Sequence, residues 1–309
     1  MEASAGASGD RTLTLLHLRK VFSDYCKVTL SASSAPSAAG SQDGDRKFDK
    51  VLPLFSRVMA MYKPDELIVN FKELCLFTSH LCRILVQEIR IRASNQSTEQ
   101  AAELIAKYLQ PESADSKGWM LLLSLRYICS SGSPPVVETM CKAALPSTLS
   151  KALYLFFDLA LVTEPVERDR RKRLFDTFSQ LLEHLCTFKS VGEELAKKDD
   201  LFLIFMGASC ACMEHNLLWR KAASQMLLNL MAKGISTTVI KYIHNKECIR
   251  QYLNNVLSDE QQRIPVPQLS EMLITLMCLL KDSGSLTNVL LQDFMEANGY
   301  LLLRDFILK

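Results

Sequence analysis

The sequence predicts an all-α fold made of stacked helical repeats, and three observations carry that expectation. The chain has 309 residues, of which 50 are leucine, 11 glycine and 10 proline. Leucine keeps its rotamer freedom in a helix, and the two helix breakers are scarce. From Arg46 onward apolar residues recur at helical spacing, with no alternating run bounded by hairpin turns. Finally, a short amphipathic helix, a break of two or three residues and a more apolar helix follow one another repeatedly.

Taken in order, residues 1–10 and 31–45 ("SASSAPSAAGSQDGD") are small, polar and rich in Ser, Ala and Gly. They read as a disordered head and a flexible loop, because they cannot bury enough surface to offset the entropy of ordering. Between them, residues 11–30 carry Leu15, Leu18, Phe22 and Cys26 at helical spacing and read as an amino-terminal helix. Residues 46–309 read as one helical solenoid. Its helix starts are marked by Ser97 with Gln100, a capping-box pattern, and by Ser133 before Pro134. Ser147, Asp200 and Ser236 are further cap candidates, and Pro265 and Pro267 precede "LSEMLITLMCLL".

The repeated unit appears as "VVETMCKAALPSTLSKALYLFF", "GEELAKKDDLFLIFM", "TTVIKYIHNKECIRQYLNNVL" and "VLLQDFMEANGYLLLRDFIL". The breaks fall near Pro146, Asp199, Asn245 and Asn298, at intervals of 53, 46 and 53 residues. Armadillo and HEAT repeats run at about 40–47 residues, so an irregular armadillo/HEAT-like α-solenoid is expected. The last stretch, "GYLLLRDFILK", is apolar at Leu301, Leu302, Phe306 and Ile307 without a polar closing face. Terminal repeats need such a face, so the chain reads as the beginning of a longer solenoid, open at its carboxyl end.

Composition excludes several function classes. A net charge of +2 supplies no field for nucleic acid or an anionic membrane. Cys75, Cys82, Cys129, Cys141, Cys186 and Cys278 lie in leucine-rich helical runs, where thiols act as small hydrophobes. With no Cys-rich framework and no signal peptide in "MEASAGASGD", a reducing cytoplasmic compartment is expected, with a nuclear pool allowed. The longest charge-free apolar run, Leu201 to Met213, is too short to span a bilayer.

Little points to chemistry. "CACMEH" offers Cys210, Cys212 and His215, but residues two apart on a helix diverge by about 200°, which disfavours a shared metal. His17, His80, His184 and His244 lie in separate helices without an acid partner nearby in sequence. No phosphate loop, GxSxG or HExxH occurs. "ERDRRKR", Glu167 to Arg173, reads as the solvated first turns of a helix rather than an import signal or phosphate patch. "EIRIRAS", around Arg90 and Arg92, reads the same way, and neither cluster interleaves with aromatics. "KALYLFFDLALV" reads as a buried repeat helix interrupted by Asp158. No catalytic, cofactor-binding or metal-binding residue is predicted.

"GWMLL" (118–122), "PSTLSKALYLFFDL" (146–159), "EELAKKDDL" (193–201), "LWRKAA" (218–223), "VIKYIHNKECI" (239–249) and "LLKDS" (279–283) occur in this order, preceded by "LHLRKVF" and "EIRIRASNQSTEQAA". In these motifs the chain resembles the amino-terminal, armadillo-like region of the Alfy/blue cheese family, large BEACH-domain scaffolds with WD-repeat and FYVE modules near the carboxyl end. The resemblance implies a non-catalytic interaction module of a scaffold for autophagy of protein aggregates. Such scaffolds link cargo receptors, autophagy machinery and membranes, through modules that have no counterpart in this chain. A different reading is a regulatory armadillo-like domain that binds a small GTPase or the protein's own carboxyl-terminal half.

Overall fold

The computed structural model describes residues 13, 15–21, 23–24, 51–70, 73–112, 116–232, 235–257, 265–282 and 287–308. The predicted head (1–10) and loop (31–45) lie outside the described residues, as does part of the predicted helix 11–30. Its described positions within 13–24 (α1) are helical. Every regular element among the described residues is a helix, as the composition predicts.

After helical residues at 51–61 (α2) come α3 (Pro64–Asn70), α4 (Leu74–Ala93), α5 (Thr98–Leu109) and α6 (Lys117–Cys129). They are followed by α7 (Pro134–Lys142), α8 (Leu145–Leu155), α9 (Pro165–Leu185), α10 (Lys189–Lys197), α11 (Leu201–Ser209) and α12 (Leu217–Ala232). The series closes with α13 (Thr237–Asn245), α14 (Cys248–Leu257), α15 (Val266–Asp282), α16 (Thr287–Glu296) and α17 (Gly299–Ile307).

From α4 to α13 each helix packs on the one three places later. One ladder runs α4, α7, α10, α13, α16, a second α5, α8, α11, α14, and a third α6, α9, α12, α15. The repeat is therefore three helices, from α7 to α15 two short ones and a longer third, where the sequence suggests a pair. Amphipathic faces force this stacking, since the buried stripe of each unit is covered only by the next. Leu149, Leu153, Phe178, Leu182, Ile204, Phe205, Met226 and Leu230 are all buried between units. Each such side chain contributes roughly 1.5–3 kcal/mol on removal from water.

The junction between the first and second helix of each repeat carries a residue with positive φ: Asn95, Ala144, Asp199, Glu247 and Asn298 (φ 59°, 60°, 63°, 50° and 60°). Among the described residues these are the positive-φ positions other than glycine. From Ala144 on, each donates its N–H to the carbonyl three residues back, on Cys141, Ala196, His244 and Met295. One left-handed residue reverses the chain while satisfying a helix-end carbonyl. The expected breaks shift accordingly. Pro146 is in the first turn of α8, where its missing N–H costs nothing, and the reversal is at Ala144. Asn245 is the last residue of α13, and the reversal is at Glu247. The repeat around Asn95 escapes the sequence pattern because α4, at 20 residues, is not a short helix.

The predicted caps divide. Ser97 and Ser236 accept from the backbone N–H of Gln100 (3.3 Å) and Val239 (3.4 Å). Ser133 precedes α7 without a side-chain cap, and Pro134 opens the helix. Ser147 instead lies inside α8 and donates to Asp200 Oδ2 at 2.5 Å. Asp200 precedes α11 without capping it and also pairs with Lys151 at 3.2 Å. These two polar residues tie neighbouring repeats together. At the carboxyl end Leu301 and Ile307 are exposed, but Leu302 is buried and Phe306 packs partly on the core. The predicted open face is thus narrower than the sequence suggests.

Candidate docking groove

Helix α8 stops at Leu155. Phe156–Asp158 form a single 3-10 turn, and 159–163 run without helix before α9. This corrects the expectation of one buried helix through "KALYLFFDLALV": Leu161 is 63% exposed. The turn is fixed because Phe156 packs on Phe178 of α9 (centroids 5.2 Å) and Trp219 of α12 (4.8 Å). Phe175 also packs on Trp219 at 4.9 Å, edge to face. Such aromatic stacks are worth ~0.5–1.5 kcal/mol per pair beyond area burial.

The backbone that leaves this turn is held by side chains of two other repeats. Buried Asn216 donates through Nδ2 to the carbonyls of Phe157 and Leu159, both at 2.9 Å. His215 Nε2 also meets the Leu159 carbonyl at 2.9 Å. A carbonyl only accepts, so Nε2 carries the proton. From the preceding repeat, Glu103 of α5 accepts the Ala160 N–H at 3.1 Å and pairs through its other oxygen with Arg171 at 3.0 Å.

The result is a groove of about 480 Å³. Leu159, Phe175 and Trp219 contribute to its floor, Leu161 and Leu218 stand exposed beside it, and Arg168, Arg171 and Lys172 supply its charge. No carboxylate lines it among the described residues.

The run "ERDRRKR" supplies those cations. Two of its five cations are neutralised within the run on α9, as at a solvated helix start: Arg170 pairs with Glu167 (3.3 Å) and Arg173 with Asp169 (2.6 Å). Glu164, a cap the sequence reading misses, accepts from the N–H groups of Val166 (3.2 Å) and Glu167 (2.7 Å). Among the described residues Arg168 bonds only a neutral carbonyl, that of Thr163 at 2.8 Å. Lys172 has no ion pair among the described residues. Two cations of the groove therefore keep uncompensated charge.

The other sequence candidates are dispersed. "CACMEH" is not helical as supposed, because α11 ends at Ser209 and a short 3-10 turn covers Glu214–Asn216. Burial pushes the Cys210 and Cys212 thiols up, which keeps them protonated and poor metal ligands. His184 stacks edge-on against Phe188 at 5.6 Å. His244 does have an acid partner, Asp293 of the next repeat, at 2.8 Å, too distant in sequence to be foreseen. His17 is exposed on α1, and His80 is on α4. In the second cluster Arg92 pairs with Glu88 and lies 3.7 Å from the Tyr108 ring centre, an aromatic contact invisible in sequence. Arg90 joins Arg83 and Lys142 along a separate groove of about 720 Å³. Among the described residues no helix is long and apolar enough to cross a membrane.

No protein-family model and no solved structure matches this chain. Among curated proteins it is 28% identical over 267 residues to the WD repeat- and FYVE domain-containing protein 4 of Mus musculus. It is 25% identical over 261 residues to that of Homo sapiens. Each match covers 84% of this chain but only 8% of the relative's length. Over most of its length, then, this helical stack is similar to a small part of a WD-repeat and FYVE-domain protein.

Proposed function

We propose that the chain is a non-catalytic docking segment of a large BEACH-type scaffold, of the kind that the Alfy/blue cheese resemblance implies, acting in autophagic clearance of aggregates at the cytoplasmic periphery of autophagic membranes. The observation that carries this reading is the groove between α9 and α12, whose apolar floor and cationic wall are held in place by hydrogen bonds from the repeats on either side. A preformed concave patch with few polar anchors suits recognition. The dispersed histidines, and thiols held protonated by burial, favour recognition over catalysis.

Binding of the purified chain to autophagy cargo receptors, compared with small GTPases in both nucleotide states, tests the proposal. Saturable binding to a receptor supports it. Selective binding to one nucleotide state of a GTPase instead identifies a regulatory domain.

A further inference from the structure

We propose that the α9–α12 groove takes a linear segment of a partner protein in which one bulky apolar side chain is flanked by acidic residues. This rests on the docking-scaffold reading and names the chemistry of what docks.

The apolar part follows from the floor. Leu159, Phe175 and Trp219 are fixed by the aromatic stack and by the bonds from Asn216 and His215, so the site needs little ordering on binding. Leu161 and Leu218, 63% and 52% exposed, stand beside this floor and would be desolvated by an apolar side chain. A space of about 480 Å³ admits such a side chain with its neighbouring backbone.

The acidic part follows from the wall. Three cations line the groove and no carboxylate is among its described lining residues; of the three, Arg171 alone has an acidic partner among the described residues, Glu103. Carboxylates satisfy guanidinium groups through paired, charge-assisted bonds. Nucleic acid fits less well, because Trp219 is 4% exposed and offers no face on which a base could stack.

The test uses the full 309-residue chain as bait for a display library of random twelve-residue peptides. Enriched peptides are then measured by fluorescence anisotropy. Acidic residues around one Leu, Ile, Phe or Trp are expected. Arg168→Glu with Lys172→Glu, and separately Leu161→Asp, should each weaken binding at least about tenfold, or ~1.4 kcal/mol. Lys142→Glu, in the separate groove, should not. All four altered positions are exposed, and unchanged circular dichroism will confirm that the variants fold. Enriched peptides without acidic or without bulky apolar residues overturn the inference. So does preferential binding to phosphatidylserine vesicles. Peptides of the expected kind that ignore these substitutions sink the groove but leave the docking module standing. No enrichment at all removes both.

Discussion

Tyr242 of α13 donates its hydroxyl hydrogen to Asp199 Oδ1 at 2.6 Å, and Asp199 is itself the left-handed residue that reverses the chain between α10 and α11. Lys246 meets the other carboxylate oxygen at 2.9 Å. One side chain thus marks the turn of its own repeat and is gripped by the next. Asp200 beside it reaches back to Ser147 and Lys151. This turn therefore carries polar links to the repeats on both sides.

The hydrogen bond from Tyr242, and then the one from Lys246, holds the Asp199 carboxyl below the usual carboxylate range. Because the folded value is depressed, the linked stability is present above the unfolded value, about 3.9, and is lost as pH falls through the folded value. Tyr242→Phe should therefore raise the Asp199 titration midpoint, read by carboxyl carbon NMR. An unchanged midpoint would show that the bond does not persist in solution.

Ala144 occupies the left-handed region at a steric cost of roughly 1–2 kcal/mol, partly offset by the ~0.5–1 kcal/mol of chain entropy that glycine would lose. Ala144→Gly should raise stability by about 0.5–1 kcal/mol in denaturant unfolding. Asp199→Gly should bring no such gain, because it discards the contacts to Tyr242 and Lys246.

Gly118, in the "GWMLL" motif, sits so close to α5 that an added Cβ would lie 2.1 Å from the Tyr108 carbonyl oxygen. Backbone cannot yield cheaply there. Gly118→Ala should destabilise by about 1–3 kcal/mol, and a neutral result would mean that α5 and α6 are farther apart than described.

Burial, with Arg83 and then Lys117 positive nearby, holds the His80 imidazole down to about 4. The unfolded chain takes up this proton near 6.5, so stability falls as pH drops from about 6.5 to 4 and is undiminished by this group above that window. His80→Leu should flatten the pH dependence across that interval in thermal unfolding. Equal slopes for both proteins would rule this proton out.

Helical periodicity made most of the fold legible, because buried faces need leucine at regular spacing. The three-helix period was not, since α9, α12 and α15 are long helices separated from the marked pairs by turns of no fixed composition. The groove was half legible. The basic run stood out, but which cations stay uncompensated depends on Glu103, 68 residues from Arg171. Asn216 and His215 gave no signal, because a residue that holds a distant carbonyl resembles any polar residue near a helix start. Arg220, 2% exposed and facing Gln268 at 3.2 Å, was likewise hidden within "LWRKAA".

Partner segments are proposed to dock where three repeats converge on the 159–163 backbone. Hydrogen exchange by mass spectrometry on the full chain, with and without a saturating selected peptide, tests this docking. Slowed exchange should be confined to 159–175 and 214–219. Protection of 79–94 and 139–144 instead, or a uniform slowing along the whole stack, would contradict it.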